Sequence, residues 1–167
     1  MSEPLEETIG IYLRQRGLKL VLAESCTGGL VGHRITNIPG SSDYYLGSVT
    51  AYANEAKERL LGVRHDTLVK FGAVSRETAL EMARGVRQAF AADFSLDAIL
   101  GVSTTGIAGP GGGLPNKPVG LVWFGLSAPE GDWAWQYLWK GNRLEVKEQS
   151  AEKALSLLLE YLTGKIR

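Results

Sequence analysis

The chain has 167 residues, of which 44% are hydrophobic and 22% charged, and its 18 basic and 18 acidic side chains give a formal net charge of zero. This balance argues against a general nucleic-acid-binding protein, which normally carries a basic excess, and no apolar run approaches the length that spans a membrane. The single cysteine rules out an internal disulfide, and the presence of only two histidines argues against a zinc site. We therefore predict one cytoplasmic domain over residues 1–167, with no metal or other cofactor and with neither nucleic-acid nor membrane partners.

Helical and strand patterns alternate in the first half of the chain. Apolar residues at helical spacing precede Gly17, and short apolar runs bounded by turn residues follow it. In chain order, we predict a helix over 5–16, a strand over 18–23, a helix that begins near 25–29 and ends at 39–40, a strand over 44–52, a helix over 54–62 and a short helix over 65–72.

The second half begins with a long amphipathic helix, for which Ser75 is the predicted N-cap and which extends to about Ala91. Three strand patterns and a final helix follow, over 97–103, 119–128, 132–140 and 143–163, with a hairpin turn around 129–131. Together these elements predict an α/β fold, a single-domain layered sandwich with a mixed, mostly parallel β-sheet, helices on both faces and a late antiparallel hairpin.

Two glycine-rich segments follow predicted strands, so both are expected at the sheet edge where ligands of such folds bind. The first reads SCTGG from Ser25 to Gly29. A strand-to-helix turn leaves backbone N–H groups free and directs the positive end of the helix dipole to one point, which suits a phosphate or a developing oxyanion. The segment is explained equally well if Ser25 or Thr27 only caps the helix and the glycines only help packing.

The second segment, STTGIAGPGGG over 103–113, contains five glycines in eleven residues. Glycine lets a ligand approach the backbone closely, and successive exposed N–H groups bind anions. The spacing fits neither a Walker loop nor a dinucleotide-binding fingerprint. A flexible surface loop is the alternative, although the three hydroxyl residues at the start favour a binding site.

The segment from Tyr52 to Lys57 can supply a general base. A lysine desolvated beside a serine loses its proton more readily, because burial disfavours the charged form. Tyr52, at the end of a predicted strand, can orient that serine or relay a proton. From spacing alone, however, Lys57 is more typical of a solvated surface charge. Ser42 lies in a loop, where serines are usually structural, and Cys26 is interpreted as a packing residue.

Long segments of the chain resemble the CinA C-terminal domain family, the nicotinamide-nucleotide amidohydrolases. The resemblance runs from about Leu20 to Leu126 and includes ESCTGG, PGSS, YANEAK and TTGIAGPGGG in the family's order, and the GNR segment at 141–143 is similar as well. It implies a compact α/β sandwich, commonly dimeric, that hydrolyses the carboxamide of nicotinamide mononucleotide with a serine, a lysine and no metal. Many of these proteins carry a further N-terminal domain, whose activity is not implied for this sequence.

The resemblance implies a role for each residue that matches a family motif. Catalytic roles are implied for Ser25, Ser42, Tyr52, Lys57 and Thr105. Substrate binding is expected from the two glycine-rich segments and from the basic residue of GNR, namely Thr27, Gly28, Gly29, Thr104, Gly106, Gly109, Gly111, Gly112 and Arg143.

We therefore expect a serine to attack the carboxamide carbon, with Lys57 as base and Tyr52 as helper. Ser25 is favoured, because its turn supplies N–H donors for the oxyanion, and Ser42 is the rival. A catalytically silent nucleotide-binding module and hydrolysis of a different amide are the alternatives. The small-molecule nucleotide is the expected partner, and the tryptophan-rich hairpin with the apolar final helix favours a homodimer.

Overall fold

The computed structural model describes residues 3–166, which are built around one five-stranded β-sheet. The strands, numbered in chain order, are β1 Lys19–Glu24, β2 Tyr45–Thr50, β3 Ile99–Gly106, β4 Leu121–Ala128 and β5 Gly131–Leu138. Their order in the sheet is β2-β1-β3-β4-β5; β1 is parallel to β2 and to β3, and the β3–β4 and β4–β5 pairs are antiparallel. The predicted mixed, mostly parallel sheet with a late antiparallel hairpin is confirmed.

Helices cover both faces of this sheet, as predicted. They are α1 Leu5–Arg16, α2 Leu30–Thr36, α3 Asn54–Leu61, α4 His65–Phe71, α5 Arg76–Gln88 and α6 Arg143–Leu162. Because side chains of a strand alternate between faces, Leu20 and Leu22 of β1 join the core beneath α1, α2 and α6, whereas Val21 and Ala23 join the core beneath α3, α4 and α5. No helix within residues 3–166 has both the length and the apolar composition needed to cross a membrane.

The topology brings four connecting segments to one edge of the sheet. The parallel strands β1, β2 and β3 end at this edge, and β5, which is antiparallel to β4, ends there as well. The segments that follow these strands are therefore neighbours, at the edge where ligands of open α/β sheets bind. Helix α6 begins beside them, capped by Asn142, whose side chain accepts from the Glu145 N–H.

Several boundaries differ from the prediction by two or three residues; α2, for example, ends at Thr36, before the predicted 39–40. Strand β3 continues to Gly106, so the hydroxyl residues from Ser103 to Thr105 belong to a buried strand and not to the loop that follows. A strand tolerates these hydroxyls because each has an acceptor; Ser103, for example, donates to the Ala79 carbonyl at 2.6 Å. Helix α5 ends at Gln88, three residues before the predicted end at 91.

The aromatic residues of β5 pack within the chain. Trp133, Trp135 and Tyr137 alternate along the strand, and Trp139 follows its last residue; all four are partly buried against the core beneath α6. Tyr137 and Trp139 also stack on each other, with ring centroids 5.3 Å apart. This packing accounts for the tryptophan pattern without a subunit contact, so the homodimer stays a prediction.

We expect Gly85→Ala to lower the free energy of unfolding by about 1–3 kcal/mol, the usual range for overpacking a core. In an unconstrained helix the same change would stabilise by about 1 kcal/mol. Here the added Cβ would overlap the backbone carbonyl of Leu61, so α3 and α5 would have to separate. Thermal denaturation measures the effect, and Gly111→Ala, where the Cβ meets nothing within 4 Å, is the matched control. An unchanged or higher melting temperature for Gly85→Ala would contradict this close approach.

Candidate active site

Lys57 and Ser25 are in hydrogen-bond contact at the carboxyl edge of the sheet. Lys57 projects inward from α3 with 1% of its surface exposed, and Ser25, which follows β1 directly, is 7% exposed. The Lys57 Nζ donates to Ser25 Oγ at 3.1 Å and to the Tyr52 carbonyl oxygen at 2.8 Å. The spacing of charges along the sequence favoured a solvated lysine, and the structure instead buries it against a serine.

Burial determines the ionisation of both groups beside this serine. It lowers the pKa of Lys57 below the usual 10.5, and the small opposing effect of Cys26 does not reverse this. The neutral amine carries a lone pair that can accept a proton from an alcohol. Burial also raises the pKa of the Cys26 thiol to about 12, so this cysteine stays protonated and serves packing.

The turn after Ser25 is held by Glu24, which the sequence analysis did not single out. Glu24 is 1% exposed, and its carboxylate accepts from Thr27 Oγ1 at 2.6 Å, from the Val31 N–H at 2.9 Å and from the Gly32 N–H at 3.0 Å. It therefore ties the end of β1 to the start of α2. The available signal was a charged residue at the end of an apolar strand, because such a residue is rarely buried unless it is paired.

Two glycines shape the same turn. Gly28 has φ +60° and Gly29 φ +98°, in the left-handed region that favours glycine. The Gly28 N–H donates to the Ser25 carbonyl at 3.0 Å, whereas the N–H groups of Thr27 and Gly29 have no acceptor among residues 3–166. Free backbone donors next to a nucleophile are the groups that stabilise an oxyanion.

Arg143 connects Tyr52 to the second glycine-rich segment. It is the first residue of α6, and its guanidinium donates to the Tyr52 hydroxyl at 2.8 Å and to the Gly109 carbonyl at 2.6 Å. Tyr52 is 60% exposed, so its ring lies at the surface above the buried lysine that its own carbonyl binds. The structure therefore brings together the predicted residues Ser25, Lys57, Tyr52, Arg143 and Gly109.

Most glycines of the second segment are required by the chain itself. A Cβ at Gly106 would lie 2.6 Å from a β4 side chain, and one at Gly109 would lie 2.5 Å from a valine of the same loop. Gly109 and Gly112 also have positive φ values of +83° and +88°. Only Gly111, of the predicted binding glycines in this segment, has open space and no such backbone constraint.

The predicted site threonines use their hydroxyls for hydrogen bonds within the fold. Thr27 and Thr104 are 0% and 1% exposed, and their hydroxyl oxygens lie 2.7 Å apart in the interior. Both hydroxyls are thus used inside the fold, although Thr27 also lines the pocket beside the turn, and substrate binding by these two residues stays a prediction. Thr105 points to the face that carries α3 and α5, as Lys57 does, but its hydroxyl donates to the Ala73 carbonyl at 2.7 Å.

Ser42, the rival candidate for the nucleophile, lies at the opposite edge of the sheet from Lys57. It is therefore not placed to give its proton to this lysine of the same chain. It precedes β2, and the carbonyl of the adjacent Asp43 accepts from Lys19 at the start of β1. Strand β2 has six residues, which at about 3.3 Å each separate its two ends by roughly 20 Å. Ser42 stood near the other motif residues in sequence, but the strand carries the chain across the whole sheet between them.

A pocket of about 360 Å³ opens beside the turn at 25–29. Its walls come from this turn with α2 and from the start of α6, and they include Gly28, Gly29, His33, Leu144, Lys147 and Glu148. A larger pocket of about 600 Å³, between Arg16, Glu130 and Tyr161, is lined by the hairpin turn and the end of α6, at the other edge of the sheet. Residues 3–166 contain no group of three or more His, Cys, Asp or Glu side chains placed to hold a metal ion.

Comparison by sequence finds close relatives that are longer than this chain. The CinA C-terminal domain model matches residues 2–162. A putative competence-damage inducible protein of Moorella thermoacetica is 51% identical over 161 residues, covering 96% of this chain and 37% of that protein. A protein of the same description from Halothermothrix orenii is 50% identical over 159 residues, covering 95% and 37%. The chain thus spans little more than a third of these curated relatives.

Comparison of folds leads to the same family. The competence/damage inducible protein CihA from Agrobacterium tumefaciens is 38% identical with a TM-score of 0.84, covering 98% of this chain and 99% of that one. A competence or damage-inducible protein from Enterobacter asburiae is 32% identical with a TM-score of 0.87, covering 95% and 96%. By sequence and by fold, the chain belongs to the CinA C-terminal domain family.

Proposed function

We propose that this chain hydrolyses the carboxamide of nicotinamide mononucleotide, releasing ammonia and nicotinate mononucleotide, without a metal or other cofactor. The observation that carries this proposal is the buried Lys57 amine 3.1 Å from Ser25 Oγ. A solvated lysine stays protonated near neutral pH and cannot act as a base. A desolvated one beside an alcohol can, and serine–lysine pairs are a known variant of acyl-transfer chemistry.

In the first half of the reaction, Ser25 Oγ attacks the carboxamide carbon while its proton passes to the neutral Lys57 amine. One N–H of this amine donates to the Tyr52 carbonyl, and in the neutral form a lone pair replaces the N–H that the protonated lysine directs at Ser25 Oγ. The carbonyl oxygen becomes an oxyanion, and the free N–H groups of the turn at 26–29 are the donors proposed to receive it. Collapse returns the proton from Lys57 to the leaving nitrogen, so ammonia departs and an ester to Ser25 remains.

In the second half, water replaces the amine. Lys57 takes one proton from the water as it attacks the ester carbon, and the tetrahedral intermediate collapses with transfer of that proton to Ser25 Oγ. The products are nicotinate mononucleotide and the regenerated serine. The same base serves both halves, which is consistent with one lysine whose pKa is lowered by burial.

The substrate is proposed to lie between the first turn and the second glycine-rich segment. Arg143 links Tyr52 to the second glycine-rich segment and contacts only neutral oxygens, those of Tyr52 and Gly109. Its charge is therefore available to the phosphoribosyl part of a nucleotide. Gly111, which no neighbour constrains, is the position where the loop backbone can approach that group most closely.

Ammonia release tests the proposal directly. The purified chain is incubated with nicotinamide, nicotinamide riboside or nicotinamide mononucleotide, and ammonia is measured by a coupled assay. The proposal expects release from the mononucleotide and none from Ser25→Ala. Release only from another amide would establish a different substrate, and binding of the mononucleotide without ammonia would establish a catalytically silent nucleotide-binding module.

We expect kcat/KM to rise with pH through a single ionisation below 10.5, the ordinary lysine value. The reason is that Lys57 is active only as the neutral amine, and burial shifts its loss of a proton to lower pH. Rates between pH 5.5 and 10 measure this limb. His33 lines the adjacent pocket, and His33→Asn should keep the limb unchanged. A limb that disappears in His33→Asn would assign the ionisation to the histidine instead.

A further inference from the structure

Lys147 reaches the turn that carries Ser25, yet it has no partner there. It projects from α6, and its Nζ lies 3.6 Å from the position of a Cβ built at Gly28. The Gly28 N–H donates to the Ser25 carbonyl, so the Lys147 ammonium lies beside the same tight turn as the candidate nucleophile. Among residues 3–166, Lys147 makes no hydrogen bond and no ion pair.

Arg143 and Lys147 form a pair of like charges on α6. They are four residues apart, so their Cβ atoms are separated by about 5–6 Å on one side of the helix. Neither is paired with a carboxylate: Glu145, the acid of the first turn, accepts from the Asn142 N–H, and Glu148 forms no ion pair. Like charges at this spacing destabilise a helix, and cations near a helix N-terminus are unfavourable. The stability of α6 therefore does not explain these two side chains.

We propose that Lys147, together with Arg143, binds the phosphate monoester of the substrate and thereby makes the enzyme prefer a nucleotide to the corresponding nucleoside. This inference rests on the proposed deamidase function and names the residue that would recognise the phosphate. Lys147 borders the pocket of about 360 Å³, within the range of small-molecule sites, and Arg143 lies one helical turn away. A phosphate dianion between the two cations offsets their mutual repulsion.

The direction of the substrate follows from these positions. Ser25 marks the carboxamide end, because its hydroxyl contacts Lys57. Lys147 and Gly28 mark the other end, on the face of the sheet that carries α2 and α6. Ser25 follows the last residue of β1, so it lies at the edge where the two faces of the sheet meet. A substrate with an amide at one end and a phosphate at the other fits this arrangement, whereas a free amide leaves the cations unoccupied.

Binding of the reaction products tests the proposal without turnover. Isothermal titration calorimetry measures Kd for nicotinate mononucleotide and for nicotinate riboside, which differ only in the phosphate. The proteins are the unaltered chain, Lys147→Gln, Lys147→Arg and Lys165→Gln; Lys165 is an exposed lysine beyond the far end of α6. We expect Lys147→Gln to raise the Kd for the mononucleotide about tenfold and to leave the Kd for the riboside unchanged. Lys147→Arg and Lys165→Gln should both bind like the unaltered chain.

Any of four results would overturn the proposed phosphate subsite. Equal Kd values for the two ligands, a Lys147→Gln variant that binds the mononucleotide normally, or equal weakening of both ligands would do so. Failure to bind the mononucleotide at all would do the same. The two proposals are separated by the ammonia assay: a phosphate preference without ammonia release refutes the deamidase and keeps the subsite. Ammonia release from the mononucleotide without a phosphate preference does the reverse.

Discussion

Lys57→Met is expected to lower kcat for amide hydrolysis by about 10²–10⁴-fold, the usual contribution of a positioned general base. Methionine keeps the unbranched shape of the side chain, but its thioether sulfur is far too weak a base to accept the Ser25 proton. The hydrogen bonds from Nζ to Ser25 Oγ and to the Tyr52 carbonyl are lost together. KM should change much less than kcat, because the buried lysine does not face the pocket that Lys147 borders. Turnover within a factor of a few of the unaltered chain would remove the serine–lysine mechanism.

The same variant is expected to be more stable at neutral pH. The folded-state pKa of Lys57 lies below its unfolded value of 10.5, because burial disfavours the charged ammonium. The cost to stability is complete below the folded pKa, and it declines as the pH rises from that value toward 10.5. Lys57→Met has no such charge, so its advantage in melting temperature should be largest near pH 7 and should shrink at alkaline pH. Lys70→Met, at an exposed position on α4, should show neither change.

Combining Lys57→Met with Ser25→Ala tests whether the two residues act as one unit. Once either partner is removed, the other has no reaction to support, so the double variant should be about as slow as the slower single variant. Additive losses would mean that Lys57 acts on something other than the serine. The residual rate in the double variant measures what the backbone donors of the turn contribute alone.

The sequence predicted the sheet well because its strands have simple patterns. β1 is a continuous apolar run, as a strand buried on both faces requires, and the β4–β5 hairpin is marked by turn residues at 129–131. The end of β3 was missed because hydroxyl residues resemble a loop. Whether a hydroxyl can be buried depends on an acceptor elsewhere in the chain; for Thr105 this is the Ala73 carbonyl, which lies 32 residues away.

Only part of the candidate site could be predicted from the sequence, again because burial depends on contacts with distant parts of the chain. Motif spacing placed Ser25, Tyr52 and Lys57 near one edge, because each follows the end of a parallel strand. It could not decide whether Lys57 is buried, since that depends on how α3 packs against the sheet. Motif spacing also could not show that Ser42 lies away from the site. Ser42 is close to the site residues in sequence, but the whole length of β2 separates them in space. Lys147 was overlooked because no strand end or glycine marks it.

Glu24→Ala is expected to lower the free energy of unfolding by about 3 kcal/mol or more and to slow catalysis as well. The change removes the acceptor of the Val31 and Gly32 N–H groups and of the Thr27 hydroxyl. Each buried donor left without a partner costs about 1–3 kcal/mol. Because this carboxylate fixes the turn that begins at Ser25, its loss should displace the nucleophile relative to Lys57. Glu24 is thus a positioning residue, which acts through the turn and does not touch the substrate.

Glu24→Gln separates positioning from general stability. The amide keeps one acceptor oxygen for Thr27 and Val31 but turns its NH₂ group toward the Gly32 N–H, so one hydrogen bond is replaced by a donor–donor contact. We expect a smaller loss of stability than in Glu24→Ala, and a lower kcat with nearly unchanged KM, measured at a temperature where the variant is fully folded by circular dichroism. Glu7→Ala removes the same charge from an exposed position on α1 and should change neither quantity. A folded Glu24→Gln variant with normal kcat would show that the turn holds Ser25 in place without this carboxylate.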